Sequence, residues 1–188
     1  LYKLKQCMRG VKVDPSLDAL LSCDTRTNEG TEGGYLLNSL AYIKKRGYVD
    51  AAAFQSHGGD ATNCITREQF DECTHYSLEH YCVLKGKSVI QAEIINSGPV
   101  IGMVEPYLDF VLYADGVLDY CSKERLAGYQ FVKVVGWGSE GKQDYWLVES
   151  MWGKQWGHYG LAKVAIGGKH DRITSGVVAI YPGDVVEA

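Results

Sequence analysis

The chain has 188 residues, 46% of them hydrophobic, which is enough for a sizeable core in one domain or two small ones. Nineteen basic and 23 acidic residues leave a formal net charge of -4, and the charges are interspersed, with Lys44-Lys45-Arg46 the longest basic run. That pattern argues against nucleic acid as a partner, and no apolar stretch reaches the length of a membrane span.

Cysteines stand at positions Cys7, Cys23, Cys64, Cys73, Cys82 and Cys121, and none forms a C-x-x-C pair. A zinc ribbon or thioredoxin-type centre is therefore disfavoured. No His/Cys/Asp cluster has ligand spacing, so neither a metal nor any other cofactor is expected. All six are disulfide candidates, scattered along a loop-rich chain in the manner of an oxidising compartment, with buried free thiols as the alternative. Such a compartment is secretory, lysosomal or vacuolar. The sequence starts at Leu1 rather than Met, so an N-terminal portion is expected to have been removed or to sit on another chain.

Along the chain, residues 1–50 read as helices with polar breaks. Asp14-Pro15-Ser16 opens a short helix through Leu17, Leu20 and Leu21. A second follows Gly33-Gly34, carries Leu36, Leu37, Leu40, Ala41 and Ile43 at helical spacing, and ends at Gly47. Residues 51–75 read as a long irregular surface loop, with Cys64 and Cys73 placed to staple it. Ser88 caps a helix bearing Val89, Ile90, Glu93 and Ile94, which stops at Ser97-Gly98-Pro99. Strand-like runs then dominate: Val100–Val104, Gln130–Val135, Tyr145–Val148, Gly160–Ile166 and Gly176–Tyr181. Helices first and strands later predict an α+β protein in two lobes, 1–75 helical and 76–188 mostly strand.

From residue 98 the pattern becomes specific. Gly98-Pro99-Val100, Tyr107-Leu108-Asp109-Phe110, Tyr113 and Gly116-Val117 come first. Val132-Lys133-Val134-Val135-Gly136-Trp137-Gly138, Tyr145-Trp146-Leu147-Val148, Trp152-Gly153, Trp156-Gly157 and Gly160 complete the series. In order and spacing these resemble the GPV…Y-x-D-F and HAVKIVGWG…YWLVANSWG…WG-x-x-G blocks of the papain family of cysteine peptidases, nearest to its cathepsin B branch. In the first half, Leu20-Leu21-Ser22-Cys23-Asp24 and Gly30-Thr31-Glu32-Gly33-Gly34 are similar to that family's L-L-S/D-C and G-C-N-G-G segments. The resemblance implies a helical left lobe, a β-barrel-like right lobe and a peptide cleft between them.

It also implies a catalytic set that this chain lacks. Such a peptidase needs a thiolate, a histidine to generate it and a group to orient the imidazole. The family's nucleophile lies in a C-G-S-C-W motif at the head of an N-terminal helix, and no such motif is present. Counting along the matched blocks puts Gln130 at the histidine position and Ser150 at that of the orienting asparagine. Glutamine does not titrate, so it can be neither base nor imidazolium partner. Trp152, which in the family shields the histidine–asparagine bond, is retained. Gly33 and Gly34 match the glycines whose backbone pairs with substrate, although a helix-leading turn would need glycine equally. His57, His75, His80, His158 and His170 are expected in structural or exposed roles.

The expectation is thus a non-catalytic homologue that binds a peptide or protein in the cleft or serves as a structural module. The alternative is the heavy chain of a processed, active peptidase with its nucleophile on another chain; a storage or scaffold role is the third reading. By the same resemblance Cys7 matches a cysteine whose disulfide partner lies N-terminal to this chain. Its own N-terminal segment, or a light chain, is then the expected partner.

Overall fold

The computed structural model describes residues 10, 12, 14–26, 28–119, 123, 124, 126 and 128–186; Cys7 and Cys121 lie outside them. Among the described residues are six α-helices and eight strands, an α+β architecture divided into two units. One is built on Cys82–Ala179. The other takes the described residues up to Tyr81 together with those from Ile180 onward.

In the second of these units the chain begins at α1 (Leu17–Cys23), for which Ser16 is the N-cap, its Oγ accepting the Ala19 N–H at 3.0 Å. Helix α2 (Leu36–Arg46) buries Leu40 and Ile43 and carries Lys44, Lys45 and Arg46 at its carbonyl end, where the helix dipole favours cations. Gly47 terminates it at φ 90°, a conformation costly for any residue with a Cβ. Strand β1 (Tyr48–Val49) then pairs antiparallel with β2 (His75–Leu84), Tyr48 opposite Tyr76.

The segment read as an irregular loop is more ordered than its polar composition predicts. It holds α3 (Ala51–Ser56), capped by Asp50, and α4 (Arg67–Asp71), closed by a Thr66/Gln69 capping box. Both helices are too short for a period to stand out, and only the caps announce them. Phe54 and Phe70 from these helices join Ala19, Val49, Ile65 and Cys73 in one apolar core. The expected Cys64–Cys73 staple is not formed. Cys64 bonds to Cys23 across a separation of 41 residues, tying the loop to the end of α1. Cys73 instead keeps its thiol inside the core, so it fills volume there as a small hydrophobe. Cys82, half-buried in β2, enters no disulfide with another described residue.

Strand β2 has no counterpart in the sequence reading, because its alternation of Tyr76 and Leu78 inward with polar neighbours outward is short and breaks at Glu79-His80. Strand β8 (Val177–Val186) runs beside it: Ser77 Oγ donates to the Asp184 carbonyl at 2.9 Å, and Tyr181 stacks on His80 at 4.2 Å.

The unit built on Cys82–Ala179 opens with α5 (Lys87–Ser97). Its N-cap is Gly86 rather than the expected Ser88, and the helix turns Ile90 fully inward. Strand order from β8 is β8-β3-β5-β6-β7-β4, with β3 at Val100–Val104, β4 at Val117–Leu118, β5 at Gln130–Glu140, β6 at Gln143–Glu149 and β7 at Leu161–Ala165. All are antiparallel neighbours except β4 and β7, which run parallel. The short α6 (Leu108–Val111) follows β3. Strands β5 and β6 form a long hairpin, and Lys133 bonds Glu149 across it at 2.6 Å. Trp146, fully buried in β6, donates its indole N–H to Thr174 Oγ1 at 3.1 Å. A Cβ on Gly102 would lie 2.8 Å from Val134 and 2.9 Å from Ile173, so only glycine allows β3 to pack this closely.

Candidate functional site

Gln130 is the first residue of β5 and pairs with Val104 of β3. Its side chain is half-buried, and its amide donates to the adjacent Phe131 carbonyl at 3.1 Å. Ser150 follows β6 and is buried, with 7% of its surface exposed. Its backbone N–H donates to the Gly160 carbonyl at 2.9 Å, and its Oγ accepts the Trp152 N–H at 3.3 Å.

The hairpin register relates these two residues. Lys133 opposes Glu149 and Val134 opposes Val148, so each pair projects to one side. Alternation then puts Gln130, Val132 and Val134 on one face and carries Val148 and Ser150 onto the same face. The Lys133–Glu149 ion pair occupies the other. The register irregularity between Val134 and Gly136 comes after this stretch and does not disturb it.

Trp152 is 41% exposed, and its ring lies 5.6 Å from Phe110 and 5.3 Å, edge-on, from Trp156. Trp156 is itself anchored by its indole N–H to the carbonyls of Phe110 and Val111 at 3.2 and 2.9 Å. This aromatic cluster is fixed from below and open above, with Met151 80% exposed beside it in sequence.

Gly33 and Gly34 belong to the other unit, directly after a 3-10 turn at Gly30–Glu32. Gly33 adopts φ 113° and accepts the Glu29 N–H at 2.9 Å. Gly34 leaves room for Asn28, whose side chain would collide with any Cβ there. Asn28 Oδ1 accepts the Tyr35 N–H at 2.7 Å and its Nδ2 donates to Ser39 Oγ at 2.9 Å, so one amide braces the glycine turn against α2. The sequence reading misses this role of Asn28; an asparagine just ahead of a glycine pair and a helix is the signal that points to it.

Every histidine has a local partner. His170 is fully buried: its Nδ1 donates to the Glu105 carbonyl at 2.9 Å, its Nε2 lies 3.3 Å from Asp109 Oδ2, and Tyr107 packs edge-on against it. His57 Nδ1 lies 2.9 Å from the Ala53 carbonyl and 3.6 Å from Cys73 Sγ, and His57 Nε2 lies 3.6 Å from Glu72. That cysteine–histidine–carboxylate grouping is no nucleophile centre. Burial, reinforced by the nearby Glu72, pushes the Cys73 thiol up from its ordinary value, and only 1% of the residue is exposed. His75 bonds the Cys73 carbonyl, His80 stacks on Tyr181 and His158 packs on Tyr159. None of them is bonded to Ser150. Among the described residues no three His, Cys, Asp or Glu side chains are gathered as a metal site, and no helix is long and apolar enough to cross a membrane.

An open cavity of about 400 Å³ lies in the unit built on Cys82–Ala179, lined by Glu105, Tyr107, Gly167, Gly168, Lys169 and Arg172. Arg172 bonds Glu105 at 2.6 Å, and that carboxylate raises the affinity of the guanidinium for its proton.

The model of the papain family cysteine proteases matches residues 3–181. The chain is 32% identical over 186 residues to a cathepsin B-like cysteine proteinase of Caenorhabditis elegans, covering 86% of this chain and 50% of that protein. It is 29% identical over 185 residues to cathepsin B-like protease 1 of Arabidopsis thaliana, covering 89% and 48%. Among solved structures, proCathepsin B S9 from Trypanosoma congolense superposes with a TM-score of 0.82 at 25% identity, covering 95% of this chain and 64% of that one. The chain therefore spans about half the length of the curated relatives it matches.

Proposed function

The chain belongs to the papain family of cysteine proteases, and from that premise we propose that it is a cathepsin B-like member that binds peptide or protein without hydrolysing it. One observation carries the reading. The two positions that the family's sequence blocks assign to the histidine and its orienting asparagine hold Gln130 and Ser150, which the β5–β6 register puts on one face. A side-chain amide offers no proton equilibrium near neutral pH, so Gln130 cannot draw a proton from a thiol. An unassisted thiol near its ordinary pKa of about 8.5 is largely protonated at pH 7 and a poor nucleophile. Ser150 cannot take over: its hydroxyl is engaged by the Trp152 N–H and no histidine adjoins it.

The partner in this reading is the protein's own N-terminal segment or a light chain, with a peptide or protein ligand in addition. The Cys23–Cys64 disulfide fits a secreted, lysosomal or vacuolar setting. The test is incubation of the purified protein, with any N-terminal partner attached, with dipeptidyl and tripeptidyl fluorogenic substrates and with an epoxide probe for active-site thiolates. Neither turnover nor labelling is expected. Stoichiometric labelling would instead establish the processed chain of an active peptidase. Intact mass before and after reduction reports whether a second chain is disulfide-linked.

A further inference from the structure

We propose that the cavity lined by Glu105, Tyr107, Lys169 and Arg172 binds a carboxylate, supplied by an acidic side chain of the bound peptide; this rests on the reading that the chain retains peptide binding.

Its position comes from the backbone pairings on either side of the end of β3. Val104 pairs with Gln130 on one side and bridges Asp171 on the other. The next residues along, Glu105 and Arg172, line the cavity, and Tyr129, the neighbour of Gln130, lies within the field of the Arg172 guanidinium. The cationic cavity thus adjoins the position where the family's base would stand.

Its charge comes from which groups are turned inward. Glu105 is sunk, with 9% of its side chain exposed against 43% for Arg172, so the carboxylate braces the guanidinium from behind and leaves the rest of the fork outward. Asp171, next to Arg172 in sequence, turns its oxygens into the loop rather than toward the guanidinium. Its Oδ1 accepts the Thr174 N–H at 2.9 Å, while Oδ2 accepts the Gly167 N–H at 2.9 Å and the Thr174 hydroxyl at 2.6 Å. Those bonds pin the turn that carries Gly167, Gly168 and Lys169, and the buried His170 anchors its far end. Lys169 is exposed and has no ion-pair partner among the described residues. Two cations, Lys169 and Arg172, therefore line the opening; of the acids around it Glu105 is bonded to Arg172, Asp171 is turned into the loop, and Asp119 reaches Gly168 from outside, its Oδ1 3.2 Å from where a Cβ on that glycine would stand. A volume of about 400 Å³ is in the range of small-ligand pockets and has room for an acidic side chain with its flanking backbone.

The experiment uses fluorescent hexapeptides of glycine and alanine with one central Glu, Gln or Lys, titrated by anisotropy at low and raised salt, with glutarate as competitor. Two cations at a solvent-exposed opening predict Glu binding about fivefold tighter than Gln, with Lys weakest and the preference shrinking as salt rises. Lys169→Glu, at an exposed position, should erase the preference without affecting the melt, and Arg172→Gln should reduce it. Competition by glutarate at concentrations comparable to the peptide would keep the carboxylate chemistry but move its source to a free dicarboxylate. Equal binding of Glu and Gln peptides, no binding of any probe, or a preference untouched by Lys169→Glu overturns the proposal. Mass spectra of the same mixtures separate the two readings: cleaved peptide sinks the non-hydrolytic reading and leaves the cavity's preference standing.

Discussion

Replacing both Cys23 and Cys64 by alanine opens a loop of 41 residues that the native bridge closes. The chain-entropy treatment assigns such a loop about 4 kcal/mol at room temperature, through the freedom restored to the unfolded chain. A domain is stable by only about 5–15 kcal/mol, so the loss is large. Alanine keeps most of the packing, since Cys23 only partly reaches the core of Ala19, Val49, Phe54, Ile65 and Phe70 and Cys64 is exposed. In urea, with a slope of about 2 kcal/mol per molar, the midpoint should fall by about 2 M. Reductant reaches the bridge through Cys64, so the oxidised wild type treated with dithiothreitol should melt like the double variant. A midpoint shift below about 0.5 M in both would refute the reasoning and place the 24–63 segment in a compact arrangement even in the unfolded chain.

Three further outcomes are expected. His170→Ala removes the donor to the Glu105 carbonyl and the partner of Asp109 in a fully buried setting, and should cost about 3 kcal/mol in a urea melt; combined with Asp109→Asn the losses should be less than additive. Cys73 should resist a disulfide-exchange reagent in the folded protein and react once the chain is unfolded in urea. Because burial raises its pKa, the stability associated with the neutral thiol is complete below the unfolded-state value and is lost as pH climbs through the folded-state one; Cys73→Ala should flatten that alkaline decline in the melting temperature. Gly47→Ala should destabilise by about 1–2 kcal/mol, because position 47 sits at φ 90° with the Tyr76 carbonyl and the His75 ring each 3.3 Å from the added carbon; a melt unchanged from wild type would show that α2 can end another way.

Much of the fold was legible because its signals are local. Ser16 and Gly47 announce the ends of helices through capping chemistry, and β3, β5, β6 and β7 are apolar runs between turns. What escaped depends on contacts far apart in sequence. The partner of Cys64 is decided by where α1 ends in space, a fact no spacing rule contains, and Cys73 is excluded from the bridge by its place among Phe54 and Phe70. Strand β2 is held by β8 and β1 more than by its own alternation. At the candidate site, the identities of Gln130 and Ser150 could be read by counting along motifs. The cavity beside position 130 could not, since it joins residues 105–107 to 167–172 through pairings with Val104.

The chain passes from one unit to the other twice, between Tyr81 and Cys82 and again between Ala179 and Ile180. The unit that begins first is therefore finished last. Ser77 must wait for Asp184, 107 residues downstream, before the edge of β2 is covered, and a ribosome delivers that segment only after all the rest of both units has been made. Until then β2 offers an open strand edge to any passing chain, so the period of synthesis is when this strand is most exposed to mispairing. Clipping a handful of residues from the C-terminal side of Ala179 would damage the N-terminal unit, and a peptide supplying 180–186 would be the reagent to repair it.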